Sequence, residues 1–234
     1  MIERKFDDFD KFTGNYRNEH TKNIKKISGV DSDYFSEYKI QAISQDENAG
    51  RDSIILDFGC GDGNSASYFL KYLSHKAYFG IDISPKSIEE ARQLPPERCS
   101  FQVYDGDHIP FDDRTFDIVF IACVLHHIDS SFHNHLLREC HRVLKDNGRL
   151  YIFEHNPINP LTRRLVSTCP FDEDAVLIYS HDLKKSLKEL HFTNIKRKYT
   201  IFFPRKYFFK RLVFLEKILT WCPLGGQYYF RCEK

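Results

Sequence analysis

The 234-residue chain is long enough for one α/β domain with a sizeable core and too short for two full domains of that class. Its net charge of +1 argues against a nucleic-acid partner, which would call for a strongly basic face. Seven cysteines, an odd number without framework spacing, favour free thiols in a reducing compartment, so we expect a cytoplasmic protein. The charged first dozen residues predict no signal peptide, and the absence of an apolar window of about 18 residues predicts no membrane span.

The first fifty residues are polar, with aromatic side chains at helical spacing. These aromatic residues recur every three or four positions and are Phe6, Phe9, Phe12 and Tyr16. One or two helices are predicted, with breaks near Gly14 and around residues 28–33. The simplest interpretation is a helical segment, residues 1–50, lying against the edge of a sheet formed by residues 51–234.

A short apolar run followed by alternating glycines comes next in the chain. Residues Ser53–Phe58 include β-branched side chains and predict a buried strand. Residues Ser65–Leu73 predict a helix with Asn64 or Ser65 as its N-cap. The turn between the two elements contains Gly59, Gly61 and Gly63. Glycines here permit positive φ angles and a close ligand approach, and the N–H groups at the helix start add hydrogen-bond donors.

The spacing and charge of this turn limit the ligands that fit. Asn64 stands where a G-x-G-x-x-G turn would carry its third glycine, which disfavours a nicotinamide cofactor. Asp57 and Asp62 lie in or beside the turn, and no Lys or Arg occurs between Ile54 and Leu70. A diphosphate would therefore face carboxylates without a compensating cation in this segment, whereas a cationic ligand would be attracted.

This stretch resembles motif I of class I S-adenosylmethionine-dependent methyltransferases, in which an acidic residue, one further residue and G-x-G-x-G follow the first strand. The resemblance implies S-adenosylmethionine as cofactor, which carries a sulfonium and an ammonium group. The cofactor contacts that it implies here are Asp57, Gly59, Cys60, Gly61 and Gly63. Many members of the family cover the methionine end of the cofactor with an N-terminal helix that carries a tyrosine. By that resemblance, residues 1–50 are a candidate lid and Tyr16 is a candidate cofactor contact.

The second predicted strand, Ala77–Ile83, places a carboxylate at its carboxyl end. Asp82 is therefore positioned to accept both ribose hydroxyls of a nucleoside. Ile83 would then lie against the adenine ring. The alternative is that Asp82 only caps a helix over Ser84–Gln93.

Two carboxylates follow the third predicted strand, Ser100–Tyr104. With Ile109-Pro110-Phe111 they resemble the family segment D-x-x-x-[LI]-P-F, whose acidic residue reaches the adenine amino group. Asp105 occupies that place, with Gly106 beside it, and Asp107 is the runner-up. A solvated turn is the alternative.

The fourth predicted strand, Thr115–Cys123, is nearly continuous in apolar residues, as expected for a strand covered on both faces. Ligands of open α/β sheets bind beyond the carboxyl ends of the strands, where the strand order reverses. Ala122 and Cys123 should therefore line the methionine portion of the cofactor. His126 and His127 follow as candidate general bases. The alternative, by resemblance, is a histidine that packs and orients the loop.

Further histidines invite a metal interpretation that their spacing disfavours. His133 and His135 would point to different faces of the predicted helix Ser131–Lys145, because helical ligand pairs need a spacing of three or four. His126, Asp129 and His133 could share a face, but no cysteine or carboxylate partner completes a zinc pattern. We therefore expect ordinary surface histidines and no metal site.

Polar residues at the tip of the fifth predicted strand, Arg149–Phe153, are candidates for acceptor binding. Glu154 and His155 leave the strand beside the transfer point, where they could hold an acceptor or take a proton. Arg163 and Arg164 follow in a short helix. They are either solvated or bind a phosphate or carboxylate of an anionic acceptor.

The C-terminal part predicts a helix over Asp182–Leu190, a sixth strand over His191–Phe203 and a last strand over Gln227–Cys232, which in the resembled family runs antiparallel. Residues 204–221 carry a wide apolar stripe bordered by lysines and arginines. This segment is either a helix packed over the sheet or acceptor pocket, or an interfacial helix in peripheral contact with a membrane.

The resemblance extends from about Ile54 to Glu154, with four modest motifs in family order. It implies an α/β fold with a Rossmann-like, doubly wound, seven-stranded sheet, mostly parallel with an antiparallel last strand, and a helical insertion near 204–223. The implied reaction transfers a methyl group from S-adenosylmethionine to a small-molecule, lipid or saccharide-type acceptor and yields S-adenosylhomocysteine. The resemblance does not decide which atom is methylated, whether the acceptor is anionic or lipid-linked, or whether a general base is used. The alternatives are a non-catalytic cofactor-binding protein and, with less support, a nicotinamide-dependent oxidoreductase.

Overall fold

A seven-stranded sheet with helices on both faces organises the protein, as described by a computed structural model. The structure describes residues 31–47, 52–94, 98–169, 172, 174–203 and 209–234. The strands are β1 Ser53–Phe58, β2 His75–Asp82, β3 Cys99–Val103, β4 Phe116–Ala122, β5 Leu144–His155, β6 Thr193–Thr200 and β7 Gln227–Glu233. The α-helices are α1 Ser32–Asp46, α2 Asn64–Tyr72, α3 Pro85–Ala91, α4 Ser130–Val143, α5 Pro160–Ser167 and α6 Ser180–Glu189.

The strand order is β3-β2-β1-β4-β5-β7-β6. β7 lies antiparallel between β5 and β6, whereas the other neighbouring strands run parallel. The order reverses between β1 and β4, where Asp57 lies opposite Phe120. Parallel strands that diverge in this way leave a crevice at their carboxyl ends. The predicted fold class and the antiparallel last strand are confirmed.

Apolar side chains cover both faces of the central strands. In β4, Ile118 and Phe120 belong to one packed layer, and Val119 and Ile121 belong to the other. Helices α4 and α6 contribute buried side chains to the layer of Val119, and α1, α2 and α3 contribute to the layer of Ile118. Because successive strand residues face opposite layers, a strand covered on both sides has to be continuously apolar.

Helix α1 connects the two halves of the sheet. Its fully buried side chains are Ile40 and Ile43. On one side, Glu37 accepts a hydrogen bond from Lys71 of α2 at 2.7 Å. Just beyond the other end of α1, Glu47 accepts a hydrogen bond from the Tyr151 hydroxyl at 2.7 Å and pairs with Arg149, both on β5. This part of the N-terminal segment is therefore fixed on a face of the sheet, over inner strands, rather than at the sheet edge that its sequence suggested.

Several element boundaries differ by a few residues from the sequence-based predictions, as the start of α2 and the length of β5 illustrate. Helix α2 has Gly63 as its N-cap, at a φ of 78°, rather than Asn64 or Ser65. Glycine takes this left-handed conformation without the steric cost that a side chain imposes. Strand β5 is longer than predicted, because it pairs with β4 as early as Leu144 and with β7 as late as His155.

The predicted helix in residues 204–221 is built of 3₁₀ turns in its described part, at Phe209–Lys217 and Leu219–Trp221. Short 3₁₀ segments often serve as connectors. Here the buried Glu216 carboxylate turns inward and accepts hydrogen bonds from the backbone N–H groups of Phe202 and Phe203, at 2.9 and 3.2 Å. The segment is thereby joined to the end of β6.

Some expectations fall on residues outside the described part of the chain. They include Tyr16 as a cofactor contact, residues 1–30 and 48–50 of the candidate lid formed by residues 1–50, and the start of the amphipathic segment at 204–208. Within the described ranges, none of the helices has both the length and the apolar character needed to span a bilayer.

Candidate cofactor and acceptor site

The glycine turn after β1 lies against the carboxyl end of β2. The N–H groups of Gly59 and Cys60 both donate to the Ile81 carbonyl, at 2.8 and 3.0 Å. Gly61 has a φ of 53°, and no heavy atom of the described residues lies within 4 Å of the position that a Cβ would occupy there. The backbone of Gly61 therefore borders open space, which is what close approach of a ligand requires.

Asp82 connects this turn to the start of α3. Its Oδ2 accepts a hydrogen bond from Gly61 N and its Oδ1 accepts one from Ser84 N, both at 2.9 Å. The N-cap of α3 is Ser84, whose hydroxyl accepts from Ser87 N, so capping does not depend on Asp82. Burial raises the pKa of Asp82, although these backbone donors oppose the shift. Ile83, beside it, is half-buried against the core.

Asp57 lies inside the protein beneath the turn. It is 2% exposed and accepts a hydrogen bond from the Tyr78 hydroxyl. Burial raises the pKa of Asp57 to about 7, although the bond from Tyr78 acts in the opposite direction. Near neutral pH the charge of the site therefore depends on this carboxyl group.

Lys39 of α1 brings a cation to the site that the sequence analysis missed. Its ammonium lies 3.5 Å from Cys123 Sγ, just after β4, and it is nearly buried. The charge of Lys39 also lowers the pKa of Asp57, against the larger effect of burial. Cys123 has a φ of 59°, next to the half-buried Ala122 at the strand end. The sequence between Ile54 and Leu70 contains no Lys or Arg. The folded site nevertheless contains a cation, because α1 places Lys39 beside Cys123.

The two carboxylates after β3 have different partners. Asp105 accepts hydrogen bonds from the N–H groups of Asp107 and His108, at 2.9 and 3.0 Å, and these bonds lower its pKa. Gly106 between them has a φ of 86°. The side chain of Asp107 instead pairs with His135 at 3.0 Å. Asp105 therefore stabilises the turn, while Asp107 is held by α4.

A buried ion pair joins the loop after β4 to the tip of β5. His126 Nδ1 lies 2.6 Å from Glu154 Oε2, and Glu154 Oε1 accepts from Leu125 N at 2.9 Å. Burial opposes charge on this imidazole, but the Glu154 carboxylate raises the pKa of His126 to about 10. Burial likewise opposes ionisation of Glu154, yet His126 holds the pKa of this carboxyl below its usual value. The paired residues are therefore both charged.

His127 and His155 flank this pair. The His127 ring lies 4.1 Å and the His155 ring 5.1 Å from the His126 ring, measured between centroids. Burial, with the adjacent positive charge of His126, lowers the pKa of each to about 4, so both are neutral. The Nδ1 atom of His155 is buried and has no hydrogen-bond partner among the residues that the structure describes. All four candidate catalytic residues thus lie in one cluster.

Asp172 completes this cluster, and sequence reasoning missed it. Its Oδ1 lies 3.5 Å from His127 Nε2 and 3.7 Å from His126 Nε2. The nearby histidines hold the pKa of Asp172 well below its usual range, against the effect of burial. No local pattern links Asp172 to residues so far away in the sequence. Only its place in the acidic stretch after Cys169 could have drawn attention to it.

The strand order, the glycine turn after β1 and the carboxylate at the end of β2 define the class I S-adenosylmethionine-dependent methyltransferase fold. Residues 56–152, less than half of the chain, match the family model described as a methyltransferase domain. The family resemblance seen in the sequence motifs is confirmed.

Two curated relatives show how far the sequence similarity extends. Demethylmenaquinone methyltransferase of Thermotoga maritima is 36% identical over 105 residues, which are 45% of this chain and 44% of the relative. Phthiotriol/phenolphthiotriol dimycocerosates methyltransferase of Mycobacterium leprae is 34% identical over 108 residues, 45% of this chain and 38% of the relative. The chain thus spans less than half the length of these relatives.

Solved structures match over most of the chain. A methyltransferase from Archaeoglobus fulgidus superimposes with a TM-score of 0.67 at 17% identity, covering 90% of this chain and 97% of the other. Phosphoethanolamine N-methyltransferase 2 of Haemonchus contortus, solved with S-adenosyl-L-methionine, gives 0.64 at 16% identity, covering 97% and 60%. At such identities the likeness establishes the fold.

Proposed function

We propose that this protein transfers a methyl group from S-adenosylmethionine to a small-molecule or lipid-like acceptor. The observation that carries the proposal is the contact of Asp82 with Gly61 N at the rim of the open glycine turn. A carboxylate next to an open backbone suits a nucleoside whose ribose donates two hydroxyl hydrogen bonds. The methyltransferase family match over residues 56–152 supports it.

The residues around the turn fit the parts of this cofactor. Asp82 would accept the ribose hydroxyls, Ile83 would lie against adenine, and Asp105 would face the adenine amino group. Lys39 is the cation placed to pair with the methionine carboxylate, beside the backbone of Ala122 and Cys123. When bound, the cofactor supplies a methyl group already activated by the sulfonium. The protein then mainly aligns the acceptor and excludes water.

The cluster at the tips of β4 and β5 would form the acceptor side. A base is needed only if the acceptor loses a proton, and the candidates are His126, His127, Glu154 and His155. Of the four, His126 and Glu154 form a buried ion pair with each other. His127 is partly exposed, with 19% of its side-chain surface accessible. It is therefore the member of the cluster best placed to meet an acceptor.

The surface around α5 and the 3₁₀ segment supports an anionic or lipid-linked acceptor. Arg163 and Arg164, with Pro160 and Ser167, line a cleft of about 280 Å³. Nearby, the Asn159 amide of α5 donates to the Leu224 carbonyl at 2.7 Å, so α5 lies next to the chain after the 3₁₀ segment. Five large apolar side chains in or beside these two segments are exposed and are here called the exposed apolar residues: Leu161, Phe214, Ile218, Trp221 and Leu224. Large apolar side chains bordered by cations suit peripheral contact with an anionic membrane.

Isothermal titration of the full chain with S-adenosylmethionine tests the cofactor assignment. We expect saturable binding at one site and comparable binding of S-adenosylhomocysteine. Formation of S-adenosylhomocysteine during incubation with quinone, phospholipid and small-molecule acceptors then distinguishes an enzyme from a non-catalytic cofactor-binding protein. Lack of binding at millimolar cofactor would contradict the proposal.

A further inference from the structure

Three side chains from distant parts of the sequence converge beyond the tips of β4 and β5. His126, His127 and Asp172 each offer one ligand atom, and these atoms lie within 4.8 Å of one another. Among the described residues this is the only group of its kind. We propose that it binds a divalent transition-metal ion of the zinc type. The inference concerns the ion alone and does not depend on methyl transfer.

The separations suit a shared ion better than direct hydrogen bonds. Asp172 Oδ1 lies 3.5 Å from His127 Nε2 and 3.7 Å from His126 Nε2. Both distances exceed the range of good N–H to oxygen hydrogen bonds. Zinc binds imidazole nitrogen and carboxylate oxygen at about 2.0–2.2 Å, so neighbouring ligand atoms of a tetrahedral site lie about 3.3 Å apart. The two Asp172 distances are within about 0.5 Å of this value, and side-chain rotations would bring all three ligand atoms, which lie within 4.8 Å of one another, around one ion.

The Glu154 carboxylate orients the His126 ring by its contact with Nδ1. It lies 2.6 Å from Nδ1 of His126, which leaves Nε2 of that ring facing Asp172. Metal-binding histidines usually donate their second N–H to a carboxylate in this way. The Glu154 carboxylate is in turn fixed by the N–H of Leu125. The orientation of His126 is thus set without any ion.

The loop that carries Asp172 is also held in place. Val176 N donates to the His126 carbonyl at 2.8 Å, which ties this loop to the histidine pair. Asp172 N donates to the Cys169 carbonyl at 3.1 Å. Asp172 therefore reaches the histidines through defined backbone contacts, whereas sequence reasoning weighed His126 only with Asp129 and His133.

Charge and access agree with a divalent ion. Glu154 is fully buried and the Asp172 side chain is 10% exposed, so two carboxylates share a largely dry space. A divalent ion that displaces the proton from Nε2 of His126 would be held by neutral imidazoles and would balance both negative charges. His127, with 19% of its side chain exposed, leaves one side open for water or an acceptor oxygen. Two nitrogen ligands favour zinc over magnesium or calcium, which prefer oxygen.

Another histidine–carboxylate contact in the same protein provides the comparison. His135 pairs directly with Asp107 at 3.0 Å, and both side chains are about half exposed or more. This is an ordinary surface ion pair, for which no buried third ligand is needed. Substitutions in this pair serve as matched controls.

The test is titration of untagged, chelator-treated protein with Zn²⁺, and with Co²⁺ as a spectroscopic probe. We expect one equivalent to bind with micromolar or tighter affinity and Co²⁺ to give visible absorption bands of a low-coordinate site. Asp172→Asn and His127→Gln should each weaken binding at least tenfold. Glu154→Gln should weaken it about 10- to 100-fold, as for other residues that orient metal ligands. His135→Gln should leave the affinity unchanged.

A second measurement needs no variant. Addition of Zn²⁺ to the wild-type protein should shift the imidazole nitrogen resonances of two histidines, which His127→Gln and a further variant, His126→Gln, assign to His127 and His126. Thermal unfolding of each ion-free variant shows whether it folds. The proposal is overturned by absence of one-site Zn²⁺ binding, by retained affinity in folded Asp172→Asn, or by shifts confined to other histidines.

Discussion

His126 donates to Glu154 across 2.6 Å, and both side chains are almost completely withdrawn from solvent. The contact joins the 3₁₀ turn Leu125–His127 to the carboxyl end of β5. It fixes the spacing between the two strand tips nearest the proposed acceptor site. A buried pair of this kind constrains geometry, and removal of one partner leaves the other charge uncompensated.

Glu154→Gln should therefore destabilise the protein. The amide can still accept from Leu125 N, but it cannot balance an imidazolium at position 126, so we expect a loss of about 1–3 kcal/mol in the free energy of unfolding. Urea denaturation measures the loss. Glu189→Gln, at the exposed end of α6, is the control and should change little. Equal stability of both variants would show that the buried pair adds nothing.

Asp57→Asn should change stability in a pH-dependent way. The pKa of Asp57 is about 7 in the folded protein against an ordinary value of 3.8, so the folded state holds the extra proton between these values. Wild-type stability should consequently fall as pH rises from about 4 to about 7, by about 1.4 kcal/mol for each pKa unit. The asparagine can still accept from Tyr78 and lacks this penalty.

Urea unfolding at pH 5 and pH 8 tests this expectation. The free energy of unfolding of Asp57→Asn relative to that of the wild type should be higher at pH 8 than at pH 5. Asp112→Asn, an exposed loop carboxylate, is the control. The same difference at both pH values would mean that Asp57 is ionised throughout.

Gly61→Ala and Gly63→Ala should separate cofactor binding from folding. A Cβ at Gly63 would lie 2.8 Å from Leu94 Cδ1 and 3.1 Å from Phe101 Cε1, so this variant should lose about 1–3 kcal/mol of stability by overpacking. A Cβ at Gly61 meets no described atom within 4 Å, and it should cost only the left-handed backbone penalty of about 1–2 kcal/mol. It would enter the proposed cofactor space.

Calorimetric titration and thermal unfolding of this glycine pair give the readout. Gly61→Ala should weaken S-adenosylmethionine binding more strongly than Gly63→Ala does in the folded state. Unchanged affinity in Gly61→Ala would place the cofactor elsewhere.

Asp82→Asn should weaken S-adenosylmethionine binding at least tenfold, because an amide accepts two ribose hydroxyls less well than a carboxylate. Asp107→Asn should bind like wild type, since the Asp107 side chain is held by His135. The same titration compares the two variants. Unchanged binding in Asp82→Asn would contradict the ribose contact of Asp82, and a loss in Asp107→Asn would favour Asp107, the runner-up to Asp105, as the adenine contact.

Trp221→Ser and Phe214→Ser should reduce co-sedimentation with vesicles of phosphatidylserine and phosphatidylcholine. Trp221 and Phe214 are 74% and 64% exposed and lie within four residues of Lys217 or Arg211 in the sequence, so apolar insertion and charge should act together. Charge reversal by Lys217→Glu should have its effect mainly on the anionic vesicles. Phe132→Ser, on α4, is the control for exposed aromatic residues. Unchanged co-sedimentation of all three variants would contradict a role of these exposed residues in membrane contact.

The sequence predicted those parts of the site that are local in the chain. The strand, glycine turn and helix around Gly61, and Asp82 at the next strand tip, follow from patterns a few residues long. Lys39 and Asp172 were missed because their contacts arise only in the folded chain, where α1 and the loop before α6 approach the residues that follow β4. Patterning over residues 204–221 indicated an amphipathic helix, but the inward Glu216 and its backbone partners favour 3₁₀ turns.

The attachment of α1 bears on how this protein can be shortened. A version that starts at residue 51 would expose the apolar surface that Ile40 and Ile43 cover and would leave Arg149 of β5 without Glu47. Lys39 would also be lost, although no sequence motif marks it as part of the proposed cofactor site. The folding unit therefore includes the helix from Ser32 onward, and trimming within it would remove core side chains together with Lys39, the cation proposed to pair with the cofactor.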